Sequence, residues 1–346
     1  MIDNNWIETL LQKAEEATQK EQKAHQNPFE QQLIVELIHA CYALHAKKRS
    51  LHLGRLLASA FDFVVTADYY AGIGHKGWFY CPSPTPRLYY HFTNCCPRHA
   101  LENMFYFHAS SKPESGSIGK ATSRLLRNFL NELLKHSRRQ EVILKGAEPV
   151  DIVIVNQAKH HIFFGEIKAS PLLTLPLAMD SEALTDAQNN KISEHDGNIT
   201  INLVYQRPFS VFVPILRQKR WQENSFCFGS KQGADDKNWS YRAMLELLSR
   251  SPEFLLVYYE FWDVALSHYH PKVTESIYWL TNGCGAPSPR PEWWPKSKGG
   301  DGEGFETVSD SKTSVGMDRT DDIKKGIYQI LKTWGRRKAC QKRMEV

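Results

Sequence analysis

The chain has no run of about 18 apolar residues, the length a membrane-spanning helix needs. Its first twenty residues, MIDNNWIETLLQKAEEATQK, mix acids and bases instead of following a basic start with an uninterrupted apolar segment. These absences argue against a membrane partner and a secretory signal, and a cytoplasmic protein is expected. A cysteine framework is missing too. Cys41, Cys81, Cys95, Cys96, Cys227, Cys284 and Cys340 are odd in number and irregular in spacing, and no two form a Cys-x-x-Cys pair. Reduced thiols are expected. No internal repeat is present, and neither charge sign dominates: the formal net charge is +5. Such mild basicity permits a polyanionic partner without demanding one.

What is present describes a folding chain. With 346 residues, 42% hydrophobic and 23% charged, it can bury a sizeable core as one large domain or two ordinary ones. Residues 3–66 carry apolar side chains at three-and-four spacing in three blocks, the second opened by Pro28, so a helical N-terminal layer is expected. Residues 70–100 lose that period and read as an irregular connector with one short strand or hairpin. A further helix, over residues 118–136, has Ser117 as its expected cap and Leu125, Phe129 and Leu133 on one face. From residue 141 the period becomes two, and EVILK, VDIVIV, HHIFFGEIKA, ITINLVYQ, FSVFVPI and EFLLVYYEFW all read as strands of a mixed sheet. Residues 282–304 read as a long Gly/Pro-rich loop, and RTDDIKKGIYQILKTWGRRK as a last helix. The fold class is therefore α/β in the α+β sense: a mixed sheet flanked by helices. A helical region with its Cys/His connector (residues 1–100) precedes a core spanning residues 101–346.

The most informative stretch is AEPVDIVIVNQAKHHIFFGEIKAS, residues 147–170. A hairpin closed through NQAK sets Val155 opposite His160 and Asp151 opposite Phe164. Cross-strand partners share a face, so Asp151, Glu166 and Lys168 then point the same way, with Asp151 and Glu166 as diagonal neighbours. A one-residue slip would separate them, whereas an even shift would not. Two carboxylates beside strands this apolar need a reason, because burying charge is costly unless it is paired or metal-bound. Hard oxygen donors of this kind suit Mg²⁺, which can polarise a phosphoryl oxygen and activate a bound water. Solvent-facing charges on an ordinary hairpin are the other reading.

Pro149, Val150 and Asp151, fifteen residues before Glu166, Ile167 and Lys168, resemble the PD-(D/E)xK nuclease superfamily. The similarity covers about 50 residues, including the preceding amphipathic helix, and departs from the usual pattern in that Val150 intervenes between the proline and the aspartate. The resemblance implies a restriction-endonuclease-like core over residues 101–346 with a DNA-contacting C-terminal loop and helix. It also implies Asp151 and Glu166 as Mg²⁺ ligands, and Lys168 as the residue that positions and stabilises the attacking water. Glu132, on the preceding helix, and Glu148, just before Pro149, are candidates for an additional ligand, with Glu132 the better placed. The expected function is a type II restriction endonuclease acting on double-stranded DNA as a homodimer. A repair or junction-resolving nuclease of the same superfamily is the alternative.

Cys81, Cys95, Cys96 and His99 are candidate ligands of a structural Zn²⁺, although their spacing matches no standard paired motif; buried thiols in a connector are the competing reading. A zinc-stabilised, non-catalytic DNA-binding protein is thus the alternative from another class. Ser311, Lys312, Thr313 and Arg319, ahead of the last helix, and Arg336 and Arg337 beyond it have the chemistry for phosphate or base-edge contacts.

Overall fold

Helix α2 (Pro28–Lys47) shows how local chemistry sets the element borders. The Asn27 side-chain oxygen accepts the backbone N–H groups of Phe29 and Glu30 at 3.1 and 3.2 Å, and Pro28, which has no N–H to satisfy, takes the first helical position. The computed structural model describes residues 4–82, 84–106, 108, 111, 113, 115–147, 150–156, 158–159, 161–167, 171–180, 198–199, 207–269 and 276–282. The other helices are α1 (Asn4–Ala24), α3 (Leu53–Ala71), α4 (Pro97–Leu101), α5 (Ser115–His136), α6 (Trp239–Arg250) and α7 (Phe254–Tyr269). The strands are β1 (Trp78–Cys81), β2 (Arg87–Tyr90), β3 (Glu141–Lys145), β4 (Ile152–Asn156), β5 (His161–Gly165), β6 (Leu177–Asp180), β7 (Asn198–Ile199), β8 (Phe209–Phe212), β9 (Ile215–Arg217), β10 (Arg220–Gln222) and β11 (Ser225–Gly229). The fold is α+β. No helix among the described residues is long and apolar enough to cross a membrane.

The chain forms two units, and neither is one continuous segment. The first takes the described residues of 1–38 and 119–170, the second those of 39–118 and 171–315. The border expected at residue 100 falls inside the second unit.

In the first unit β3, β4 and β5 form an antiparallel meander with helices on both faces. On one face Ile143, Ile152 and Ile167 are buried against Leu126, Leu130 and Leu134 of α5. On the other, Val150 and Val153 are buried with Ala14 and Leu11 of α1. Apolar packing on both faces of β4, with Val153 and Val155 on one side and Ile152 and Ile154 on the other, is why that strand reads as a continuous β-branched run. Polar pairs join the helices to this core. Arg124 donates to both carboxylate oxygens of Glu30 at 2.8 and 2.6 Å, and Asn128 adds a third bond to Glu30. Glu21 pairs with Arg127 and with Lys145; burial pushes its carboxyl up, but the two cations outweigh it and hold the group below the usual range.

The outer edge of β3 is closed by helix side chains. The Asn131 amide accepts from the N–H of Ile143 and donates to its carbonyl, both at 2.8 Å, while the Thr18 hydroxyl accepts the Lys145 N–H at 2.8 Å. Asn131 thereby supplies the donor and acceptor that a neighbouring strand would otherwise offer.

The second unit is built on a six-stranded antiparallel sheet in the order β11-β8-β6-β2-β1-β7, with β9 and β10 as a separate ribbon. Helix α3 is its core, burying Leu56, Ala60, Phe63, Val64, Ala67 and Tyr70. Asp62, on the same helix, is also buried; its Oδ2 accepts Leu172 N–H, Leu173 N–H and Trp262 Nε1–H at 2.8, 3.1 and 2.7 Å.

Several expectations are corrected here. The single mixed sheet is replaced by separate sheets whose described pairs are all antiparallel. The segment EFLLVYYEFW is not a strand but most of α7. A continuous apolar run fits a buried helix as well as a buried strand. Length decides, because sixteen residues exceed a usual strand and Phe254, Tyr258, Phe261, Trp262 and Ala265 recur at three-and-four spacing on the buried side. By contrast, the short hairpin expected within residues 70–100 is present as β1 and β2, which pair antiparallel and lie inside the larger sheet. Helix α5 begins at Ser115, so Ser117 lies within its first turn and is not the cap. The final helix, the loop 282–304 beyond Asn282 and most of ITINLVYQ lie outside the described residues.

Candidate active site

Strands β4 and β5 pair as Val155 with Ile162, Val153 with Phe164 and Ile152 with Gly165. This differs by two residues from the register expected with the turn at NQAK. The cause is Asn156, which joins β4 instead of the turn. Its Nδ2 donates to Glu141 at 2.9 Å and its Oδ1 accepts the Lys159 N–H at 2.9 Å, so the strand runs one residue further and the turn starts later. Since the shift is even, the two carboxylates are not separated. Asp151 and Glu166 become the residues one step beyond the last regular pair, instead of diagonal neighbours.

Three hydrogen bonds set Asp151. Its N–H donates to the Gly165 carbonyl at 3.0 Å and its carbonyl accepts the Gly146 N–H at 2.7 Å. Its Oδ2 accepts the N–H of Ile167, the residue after Glu166, at 2.9 Å. One carboxylate oxygen is thus spent on the neighbouring strand, and no hydrogen bond is made by Oδ1 among the described residues. Asp151 and Glu166 are both half-buried. Gly146 was not singled out from the sequence, yet the chain turns back there so closely that a β-carbon would press on the Val150 carbonyl oxygen and lie 2.7 Å from the Asp151 carbonyl carbon. The only hint in the sequence was a glycine between a strand and a proline.

The other candidates separate clearly. Glu132 on α5 is engaged by Lys135 at 2.7 Å and by Gln31 at 3.4 Å. Among the described residues, it forms no three-residue ligand group with Asp151 and Glu166. Lys168 lies outside the described residues, as do Glu148, Ser311, Lys312, Thr313, Arg319, Arg336 and Arg337.

Of the four Cys/His candidates the structure brings three together. Ligand atoms of Cys81, Cys96 and His99 all lie within 4.8 Å of one another. Cys95 is turned aside, its Sγ facing the carbonyl oxygens of Cys96 and Met104 at 3.7 and 3.8 Å. His91 is fully buried against Phe79 and His108 and is not part of the group. Burial, reinforced by the neighbouring Cys81, pushes the Cys96 thiol well up, and burial pushes His99 down. Comparison with protein-family models, curated proteins and solved structures gives no match to this chain.

Proposed function

We propose that the chain is a Mg²⁺-dependent endonuclease acting on double-stranded DNA, and within that class a type II restriction enzyme working as a homodimer. One observation carries the reading: Asp151 and Glu166 end neighbouring strands one step past the same pair, with Asp151 tied through Oδ2 to the strand that bears Glu166. The helix-then-meander order of α5, β3, β4 and β5 supports a restriction-endonuclease-like core.

The donor set fits the metal. Two carboxylates offer hard oxygens, and Mg²⁺ is commonly held by one or two carboxylates with water and substrate phosphate completing its shell. Bound there, the ion would supply Lewis-acid polarisation of the phosphoryl group and a more acidic water. Asp151 and Glu166 hold and orient it, and the strand hydrogen bonds keep Asp151 from swinging away. Lys168, two positions after Glu166, carries the positive charge assigned to placing the attacking water.

The test is digestion of a mixed-sequence plasmid by the purified chain with and without Mg²⁺. Discrete fragments that require Mg²⁺ support the reading, and no cleavage across a range of duplex substrates rejects it. Cleavage confined to branched or damaged DNA would instead mark a repair or junction-resolving enzyme on the same site.

A further inference from the structure

The second unit gathers soft donors at one point from the end of β1 and the start of α4. Cys81 is the last residue of β1, whose pairing with β2 (Cys81 opposite Arg87) fixes its place. Cys96 immediately precedes α4, and His99 lies in that helix. The start of α4 is held by the Cys96 N–H donating to the Tyr106 carbonyl at 2.9 Å, and the Tyr106 ring stacks on His99 with centroids 4.7 Å apart. Both thiols are fully buried, whereas His99 is half-buried.

The spacing suits a tetrahedral ion. Cys81 Sγ lies 3.9 Å from His99 Nδ1, and the whole group fits within 4.8 Å. Zinc bonds of about 2.3 Å to sulfur and about 2.0 Å to nitrogen put tetrahedral sulfurs about 3.8 Å apart and sulfur about 3.5 Å from nitrogen. Closing the observed group onto an ion therefore takes side-chain shifts of about an ångström or less. Thiolate and imidazole donors select zinc over magnesium. Among the described residues no fourth Cys, His, Asp or Glu joins the group.

We propose that Cys81, Cys96 and His99 bind one Zn²⁺ through two thiolates and one imidazole, with the fourth position taken by water at the exposed side of His99, and that the ion ties the end of β1 to α4. The site shares no residue with the Asp151–Glu166 pair, and Cys95 is not a ligand.

The full-length chain, purified under reducing conditions, is assayed for zinc by elemental mass spectrometry. After chelation it is titrated with Co²⁺ and followed by absorbance. Stoichiometric zinc is expected, together with Co²⁺ bands of a tetrahedral site and a near-ultraviolet thiolate band. Both Co²⁺ features should disappear in Cys96→Ser and His99→Ala and persist in Cys95→Ser and Asp151→Asn. A chain that is folded by circular dichroism but takes up neither metal overturns the site, as does loss of the bands in Cys95→Ser. Two thiols that react only after reduction would mark a Cys81–Cys96 disulfide and also overturn it. If the Cys96 variant does not fold, the titration of the unmodified chain decides alone.

Discussion

Asp151 Oδ2 accepts the backbone N–H of Ile167 at 2.9 Å, so the carboxylate proposed to hold a metal also fastens β4 to β5. The two roles can be separated by substitution. Asp151→Asn keeps an acceptor for Ile167 but loses the charge. Cleavage in Mg²⁺ should fall about 100-fold or more, in line with losing one fixed electrostatic contact at a reacting centre, while the melting temperature and DNA binding stay close to those of the parent. Asp151→Ala should lose activity and also about 1–3 kcal/mol of stability through the stranded N–H. Plasmid digestion beside denaturant unfolding reads both, and parental cleavage by the Asn variant would remove Asp151 from the site.

Gly146 controls where Asp151 sits. A β-carbon there meets the Val150–Asp151 backbone, which cannot yield as a flexible side chain would. Gly146→Ala should cost about 1–3 kcal/mol and reduce Mg²⁺-dependent cleavage further than the stability loss explains. Activity measured well below the melting transition tests this, and an unchanged rate would mean that the turn does not place the carboxylate.

The Glu30–Arg124 pair is almost wholly buried, with side-chain exposures of 6% and 9%. Glu30→Ala leaves a buried guanidinium uncompensated and should cost about 3–5 kcal/mol, whereas replacing both partners with methionine should restore most of that loss. Urea unfolding of the single and double variants distinguishes the outcomes. A single variant within experimental error of the parent would contradict the burial.

Asp62 supplies a pH signature. Burial raises its pKa from 3.8 to about 7, and the bonds from Trp262, Leu173 and Leu172 only partly oppose the rise. The folded chain therefore holds this proton over a pH range in which the unfolded chain has released it. The resulting advantage is complete below about pH 4, shrinks as pH rises towards 7 and is gone above it. Asp62→Asn keeps an acceptor but does not titrate, so its stability relative to the parent should improve by a few kcal/mol between pH 4 and 8. Unfolding free energies of both chains across that range provide the check, and parallel curves would refute it.

The sequence carried much of this fold because its strongest signals are local. The three-and-four spacing in α1, α2 and α3 and the Pro28 start of α2 could be read directly, whereas the Asn27 cap was not singled out. So could β3, β4 and β5, whose β-branched runs are bounded by turn residues. What escaped depends on tertiary context. The period of EFLLVYYEFW does not distinguish helix from strand, and the register of β4 rests on Asn156 finding Glu141, fifteen positions away. Asp151 and Glu166 were legible as a pair because an even shift preserves their relation. Gly146 was not, because its importance comes from the later return of the chain. The exclusion of Cys95 from the Cys/His group likewise depends on side-chain direction, which spacing does not encode.

The closed edge of β3 bears on how the protein behaves in concentrated solution. An unpaired strand edge is a template for another chain, and here Asn131 and Thr18 occupy that template from neighbouring helices. Among the described residues, one amide and one hydroxyl occupy this side of the meander, and neither is bonded to the carboxylates. A substitution at either position leaves the carboxylates in place and reopens that edge to pairing with another chain.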